Sequence, residues 1–338
     1  MPVITIRDVA ADAGVAVSTV SYALSGRKKL PEATVRKVQA SATKLGYRPS
    51  STGKALALGR TNVLGMMVQL DTHSPETDID VFMWFVRAAV YTAKARGYDL
   101  MIVGRDDDAL AGDMLVDALV VMSIRAQDTR VPHLSERGKP AVLIGVPDDT
   151  HGLSAVDLDF EDAGRVAARH LAALGHRSVT LVSHPVPVGD DFAFSNKLQH
   201  GFFDESKRLG LTATFRQVGA SRADVAAWLD EVKDSQPGLT GIFLEAVASL
   251  DALYEELGAR GLSVPGDVSI VALAPAKQFA RLFPATTLID LPGDEMVRRA
   301  VTLALDELSG GVRGVVELLP AVLHDHGSSG PARTDLAR

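Results

Sequence analysis

The chain has 338 residues, 46% apolar and 23% charged, with a net charge of −7, a globular profile long enough for two or three domains rather than one core. No apolar run reaches the roughly 18 residues of a membrane span. MPVITIRDVAAD has neither the basic nor the apolar region of a secretory leader, so a cytoplasmic location without membrane partners is expected. Cysteine is absent, which rules out disulfides and thiolate metal sites.

The charge is uneven along the chain. Residues 1 to 60 hold ten Lys/Arg against three Asp/Glu, a net of +7, and the remainder carries −14. A basic head on an acidic body concentrates positive potential at one end, as phosphate binding requires. Thr5-Ile6-Arg7-Asp8 is a helix start signal, so a first helix is predicted from Ile6 with Val9, Ala10 and Ala13 on one face. Gly14 interrupts it where a tight turn needs a left-handed residue. A second helix, Val17 to Leu24, buries Val20 and Leu24 beside Val15 and presents Val17, Ser18, Ser21 and Tyr22 outward. A third begins at Leu30-Pro31-Glu32, with proline in its first turn, and carries Val35, Val38, Ala42 and Leu45 on its seam. It ends at Gly46. Two short helices about a glycine turn, backed by a third, form a helix-turn-helix.

Residues 50 to 58, SSTGKALAL, are too short to hold a helix alone in water, and Gly53 weakens it further. From Thr61 apolar runs alternate with helical periods. Strands are predicted at Val63–Leu70, Asp99–Val103, Ala118–Met122, Ala141–Gly145, Ser178–Ser183, Gly241–Leu244 and Val268–Leu273. Helices are predicted at Val81–Arg96, Phe160–Leu174, Ala223–Ser235 and Ala248–Arg260, an alternation that implies parallel sheets with helices on both faces. Asp106 to Asp108 point in three directions and read as a solvated turn rather than a metal site. His324-Asp325-His326 places two histidines on one strand face, better suited to a surface strand end than to a metal. No G-x-G-x-x-G leads from a strand into a helix, and neither a P-loop nor a nucleophile elbow occurs, so no enzyme and no cofactor is expected.

The head closely resembles the N-terminal domain of the LacI/GalR (lactose-repressor type) transcription factors. The matching residues are Ile6-x-Asp8-Val9-Ala10, Ala13-Gly14-Val15, Thr19-Val20-Ser21, Val38 and Leu45-Gly46-Tyr47-x-Pro49, continuing without a gap into Leu56 and Gly59-Arg60-Thr61. Looser landmarks extend the resemblance through the body: His170-Leu171-x-x-Leu174-Gly175-His176, Val264-Pro265-x-Asp267-Val268-Ser269-Ile270-Val271 and Thr286-Thr287. The implied fold is α/β: a three-helix DNA-binding domain at 1–48, a hinge at 49–60, and a two-lobed Rossmann-like body at 61–330 of the periplasmic-binding-protein type. Lobe one takes about 61–159 plus 288–317 and lobe two about 160–287 plus 318–328, before a flexible tail at 331–338.

The resemblance implies a repressor that binds a pseudo-palindromic operator as a homodimer and is modulated by a small, carbohydrate-like effector between the lobes. Val17, Ser18 and Tyr22 match base-reading positions, and Thr5, Thr19, Ser21, Thr34 and Tyr47 match phosphate-holding ones, although Thr19 also suits helix packing. Ser50, Gly53, Lys54 and Leu56 fall in the hinge helix, where Leu56 matches a minor-groove lever. Ala16 stands where relatives usually have a serine cap, and Tyr22 where many have arginine, so operator preference does not transfer. Relatives usually fit a full helix where this chain has only RDDDALAGDMLVD (residues 105–117), so that crossover is shortened. In the cleft, Glu245-Ala246 replaces an Asn-Asp pair and Ala274 replaces an Asp. The Arg expected shortly before Gly201-Phe202 is missing, with Lys197 or Leu198 nearest. His73, Ser74, Asn196, Lys197 and Glu245 remain effector candidates, and Asn196, Lys197 and Glu245 equally suit structural roles. So thinned a cleft also fits an effector-independent regulator. The C-terminal residues carry no heptads, which favours a dimer over a tetramer.

Overall fold

The computed structural model describes residues 4–26, 28–48, 59–68, 79–104, 115–186, 191–245, 247–277, 279 and 285–333, with the backbone alone at 79–81. Ser50, Gly53, Lys54, Leu56, His73, Ser74 and Asp106 to Asp108 lie outside the described residues.

The head consists of α1 (Ile6–Ala13), α2 (Val17–Ser25) and α3 (Glu32–Leu45). Its core is Val9, Ala10, Ala13, Val20, Ala23, Val38 and Ala42, and the alanines allow the three axes to approach closely. Gly14 ends α1 at φ 59°, a left-handed conformation open to glycine at little cost. Pro31 is the N-cap of α3 rather than a first-turn residue. A polar tie that periodicity does not show joins α1 to α3. The buried Ser41 hydroxyl donates to Asp12 Oδ2 (2.5 Å) and Lys44 Nζ to Asp12 Oδ1 (2.6 Å).

In the body, β1 (Val63–Met67), β2 (Asp99–Val103), β3 (Ala118–Val121), β4 (Ala141–Ile144) and β5 (Ser154–Leu158) form a first sheet. It is completed by β11 (Val316–Leu319), in the parallel order β11-β5-β4-β3-β1-β2. The second sheet is β12-β10-β9-β8-β6-β7. Its strands are β6 (Ser178–Ser183), β7 (Thr212–Gln217), β8 (Gly241–Leu244), β9 (Ser269–Ala274), β10 (Thr287–Asp290) and the short antiparallel β12 (Leu323–His324). The central strands are apolar runs because both faces are covered. Helices α4 (Ile79–Ala95) and α10 (Gly293–Leu308) pack on one face of the first sheet, and the seven-residue α5 (Arg130–Glu136) lies on the other. The second sheet is sandwiched between α6 (Phe160–Ala173) with α7 (Ala193–Leu209) and α8 (Arg222–Ser235) with α9 (Leu250–Ala259).

The chain crosses between lobes after Leu158, after Asp290 and after Leu319, the last two slightly later than the expected 287/288 and 317/318. Helices α6 and α7 cross with their backbones in contact. A Cβ on Gly201 would run into the Glu161 carbonyl, and one on Gly164 into the Leu198 carbonyl. Residues 331 to 333 are not free: Ala332 N–H bonds the Leu174 carbonyl (2.8 Å) and Arg333 pairs with Asp267.

Candidate nucleic-acid interface and interlobe cleft

On α2 the core residues Val20 and Ala23 turn inward, and Val17 (42% exposed), Ser18 and Tyr22 (37% exposed) form an outward face. Ser21 and Thr19 flank this face, both half-buried. Ala16 occupies the N-cap and gives no side-chain bond, so the first-turn amides of α2 lack a side-chain cap. Lys28 Nζ lies 5.9 Å from the Tyr22 ring centroid, at the outer limit of a cation–π contact. Thr34 opens α3 half-buried, and Tyr47 packs against the head core. Thr5 has a further role: its N–H and hydroxyl both donate to Asp8 Oδ2 (2.8 and 2.7 Å), bonds that hold the Asp8 carboxyl below the usual range.

In the cleft, α4 meets the loops after β9 and β10. Trp84 from lobe one and Phe279 from lobe two pack edge to face with centroids 6.0 Å apart. Trp84, Phe85, Pro275, Lys277 and Asp290 line a small, shallow cavity of about 80 Å³ there. Asp290 is already engaged, its Oδ1 accepting the Ala276 N–H (2.8 Å).

The opposite side of the boundary is bridged by backbone. Ala193 N–H donates to the Ile124 carbonyl (3.1 Å) and Ala126 N–H to the Asp191 carbonyl (2.8 Å), an antiparallel bridge centred on Arg125 and Phe192. The lobe-one half of this bridge is fixed by a buried ion pair. Arg130 grips Asp128 through Nε (2.9 Å) and Nη2 (2.6 Å) and donates to the carbonyls of Met122 (3.1 Å) and Ser123 (2.7 Å). Burial alone would raise the Asp128 carboxyl, but the Arg130 bonds and charge hold it below its ordinary value.

The first turns of α7 hold two of the effector candidates. Asn196 donates to the Asp191 carboxylate, bracing the lobe-two half of the bridge. Lys197 Nζ reaches across to the Val146 carbonyl of lobe one (2.5 Å). Beside it lies Asp157, 1% exposed, accepting the Val146 N–H (3.1 Å) and the Leu158 N–H (3.0 Å). Burial pushes its carboxyl up to about 7 against the opposing pull of Lys197 and the two amides. The third described candidate, Glu245, is buried at the end of β8 and accepts the Ser195 hydroxyl (3.2 Å). Leu198 is core at the α6–α7 crossing, and Ala274 is fully buried.

Sequence reasoning passed over Asp157, the Asp128–Arg130 pair and Trp84. A carboxylate inside the apolar run SAVDL was the available signal for the first, because unpaired carboxylates are rarely buried.

Two family models match the chain: "Bacterial regulatory proteins, lacI family" over residues 5–50 and "Periplasmic binding protein-like domain" over 168–329. The chain belongs to the LacI family of bacterial regulatory proteins. Its LacI-family relatives include the HTH-type transcriptional regulator PtxS of Pseudomonas plecoglossicida, 29% identical over 91% of this chain and 90% of that protein. The HTH-type transcriptional regulator CelR of Thermobifida fusca is 26% identical over 93% and 95%. Among solved structures, the Lac repressor dimer bound to operator and the anti-inducer ONPF superposes with a TM-score of 0.81 at 21% identity. That match covers 97% of this chain and 100% of the other, and establishes the LacI-type fold. A CelR–cellobiose complex matches with a TM-score of 0.67 at 24% identity over 96% and 99%. Members of this family carry a DNA-binding helix-turn-helix and a periplasmic-binding-protein-like domain, and the relatives named here are transcriptional regulators.

Proposed function

We propose that this LacI-family chain is a sequence-specific repressor that binds a pseudo-palindromic operator as a homodimer, with a small, sugar-like effector acting at the interlobe cleft. The observation that carries the reading is the outward face of α2, where Val17, Ser18 and Tyr22 stand exposed on a packed three-helix core. Val17 suits a thymine methyl, and Tyr22 offers a ring and one hydroxyl in place of a bidentate guanidinium. Thr19, Ser21, Thr34 and Tyr47 supply neutral donors for phosphate oxygens, and the uncapped amides of α2 add an anion-seeking helix terminus. Ser50, Gly53, Lys54 and Leu56 of the hinge segment complete the proposed DNA contact, with Leu56 as the minor-groove lever that the resemblance implies.

Dimerisation is supported by an exposed apolar band on lobe one. Met83, Val90 and Tyr91 of α4 are 51%, 44% and 70% exposed, beside Met101 and Ile102 on the edge strand β2. A second reading, regulation without an effector, is favoured by a specific observation: Asn196, Lys197 and Glu245 are each bonded within the chain.

Selection from a random duplex pool with the purified full chain tests the DNA reading. Enrichment of two inverted half-sites about 10 bp apart is expected. Recovery no better than bulk DNA at physiological salt overturns it. A carbohydrate panel titrated against the selected operator then separates the two readings: a change in affinity supports effector control, and none supports the second.

A further inference from the structure

The chain bonds its two lobes to each other at both margins of the cleft. At one margin stands the backbone bridge of Ile124 and Ala126 with Asp191 and Ala193, reinforced by Lys197 on the Val146 carbonyl. At the other stands Trp84 against Phe279. We propose that these contacts form a built-in clamp that makes the closed lobe arrangement the resting one, with Lys197 acting as an interlobe strap rather than an effector anchor. The inference rests on reading the cleft as the regulator's point of control.

Three features make the clamp more than incidental contact. Its lobe-one half is preorganised, because Arg130, 2% exposed, fixes the loop from Met122 to Asp128 before any lobe contact forms. Its lobe-two half is preorganised as well, since Asn196 holds Asp191 from the first turn of α7. Hydrogen bonds between rigid partners lose little conformational entropy on forming. Finally, Lys197 has a reason to stay: a half-buried ammonium needs acceptors, and it has the Val146 carbonyl with the Asp157 carboxyl beside it. A closed resting state changes what an effector can do. A ligand shifts an equilibrium only through its differential affinity, so a molecule that favours the closed form has little left to shift, and an effective one must pry the lobes apart.

The sequence provides its own probe, since it contains two tryptophans, one of them Trp84 at the clamp and the other, Trp228, in the lobe-two core. In ligand-stripped Trp228→Phe protein without DNA, acrylamide quenching reports on Trp84 alone. If that variant does not fold, the difference between wild type and Trp84→Phe gives the same signal. The clamp predicts shielded Trp84 emission in the ligand-free protein. It also predicts at least a threefold rise in the quenching constant on adding Lys197→Met with Phe279→Ala, and a larger radius of gyration by small-angle scattering. Open, freely quenched Trp84 in the ligand-free protein, shielded only when a carbohydrate is added, overturns the proposal. So does quenching unchanged by the two substitutions. DNA is absent from the measurement, so a failure of operator binding is scored separately.

Discussion

The head and the cleft treat their candidate contact side chains in opposite ways. On α2 the outward Val17, Ser18 and Tyr22 are left uncovered by the head's own core. In the cleft Asn196, Lys197 and Glu245 are all committed to partners within the chain. The resemblance assigns ligand contact to both regions, with departures in the cleft, and only α2 leaves its outward residues uncovered. Resemblance at a position therefore does not say whether its side chain is already engaged within the chain.

The largest expected effect tests whether the head's availability depends on its core. Val38 is fully buried among the three helices, so Val38→Asp places an uncompensated charge there. Operator binding should fall more than 100-fold in a fluorescence-anisotropy titration, with the melting of the body unchanged. Retained binding would mean that α2 does not need the packed head.

Next is the cleft-side anchor. Arg130→Met leaves Asp128 buried without its partner, a loss of about 3–5 kcal/mol. Denaturant unfolding should show most of this recovered in the Arg130→Met/Asp128→Asn double variant. An additive double variant would mean that the pair does not hold the loop.

Asp157 gives a pH signature. Its folded-state value of about 7 lies above the ordinary 3.8, so between these limits the native state holds a proton that the unfolded chain has released. Stability should decline as pH rises from about 4 to about 7 and level off above, by a few kcal/mol in all. Asp157→Asn should abolish that slope, melting higher than wild type at pH 8 and equally at pH 4. Lys197 opposes the shift and Asp159 adds to it, so Lys197→Met should steepen the decline. Parallel pH profiles for wild type and Asp157→Asn would rule out this origin.

Finer effects should appear on the reading face. Tyr22→Ala should cost about 1–3 kcal/mol at particular base pairs, visible as relaxed preference in a repeated selection. Lys28→Met, which removes the cation beside the Tyr22 ring, should cost about 1 kcal/mol or less. Uniform losses across all sequences would reassign either residue to phosphate contact.

Most of the head was legible because its signals are local. A capping motif, a glycine turn and a 3-4-3 seam each lie within a few residues, and α1 to α3 begin within a residue or two of the expected places. The central strands were legible for a similar reason, since Gly241–Leu244 and Ser178–Ser183 are short runs buried on both faces and rich in Val, Leu, Ile and Phe. Edge elements were not. Thr212–Gln217 reads as polar because it borders its sheet and stays half exposed. The interlobe contacts were less legible for a deeper reason: Ala193 and Lys197 meet lobe one at the Ile124 and Val146 carbonyls, acceptors that every residue carries and no sequence pattern marks. Asp157 carried a local signal that went unread, a carboxylate in an apolar run, and its meaning depended on a lysine forty positions away.

The most direct test of an open head on a self-closed body is the operator affinity of protein stripped of small molecules by unfolding and refolding. Measured against the selected operator and against bulk duplex at equal salt, the stripped protein should bind the operator at least about 10³-fold more tightly with nothing added. Sequence-specific binding that appears only once a small molecule is supplied would contradict it.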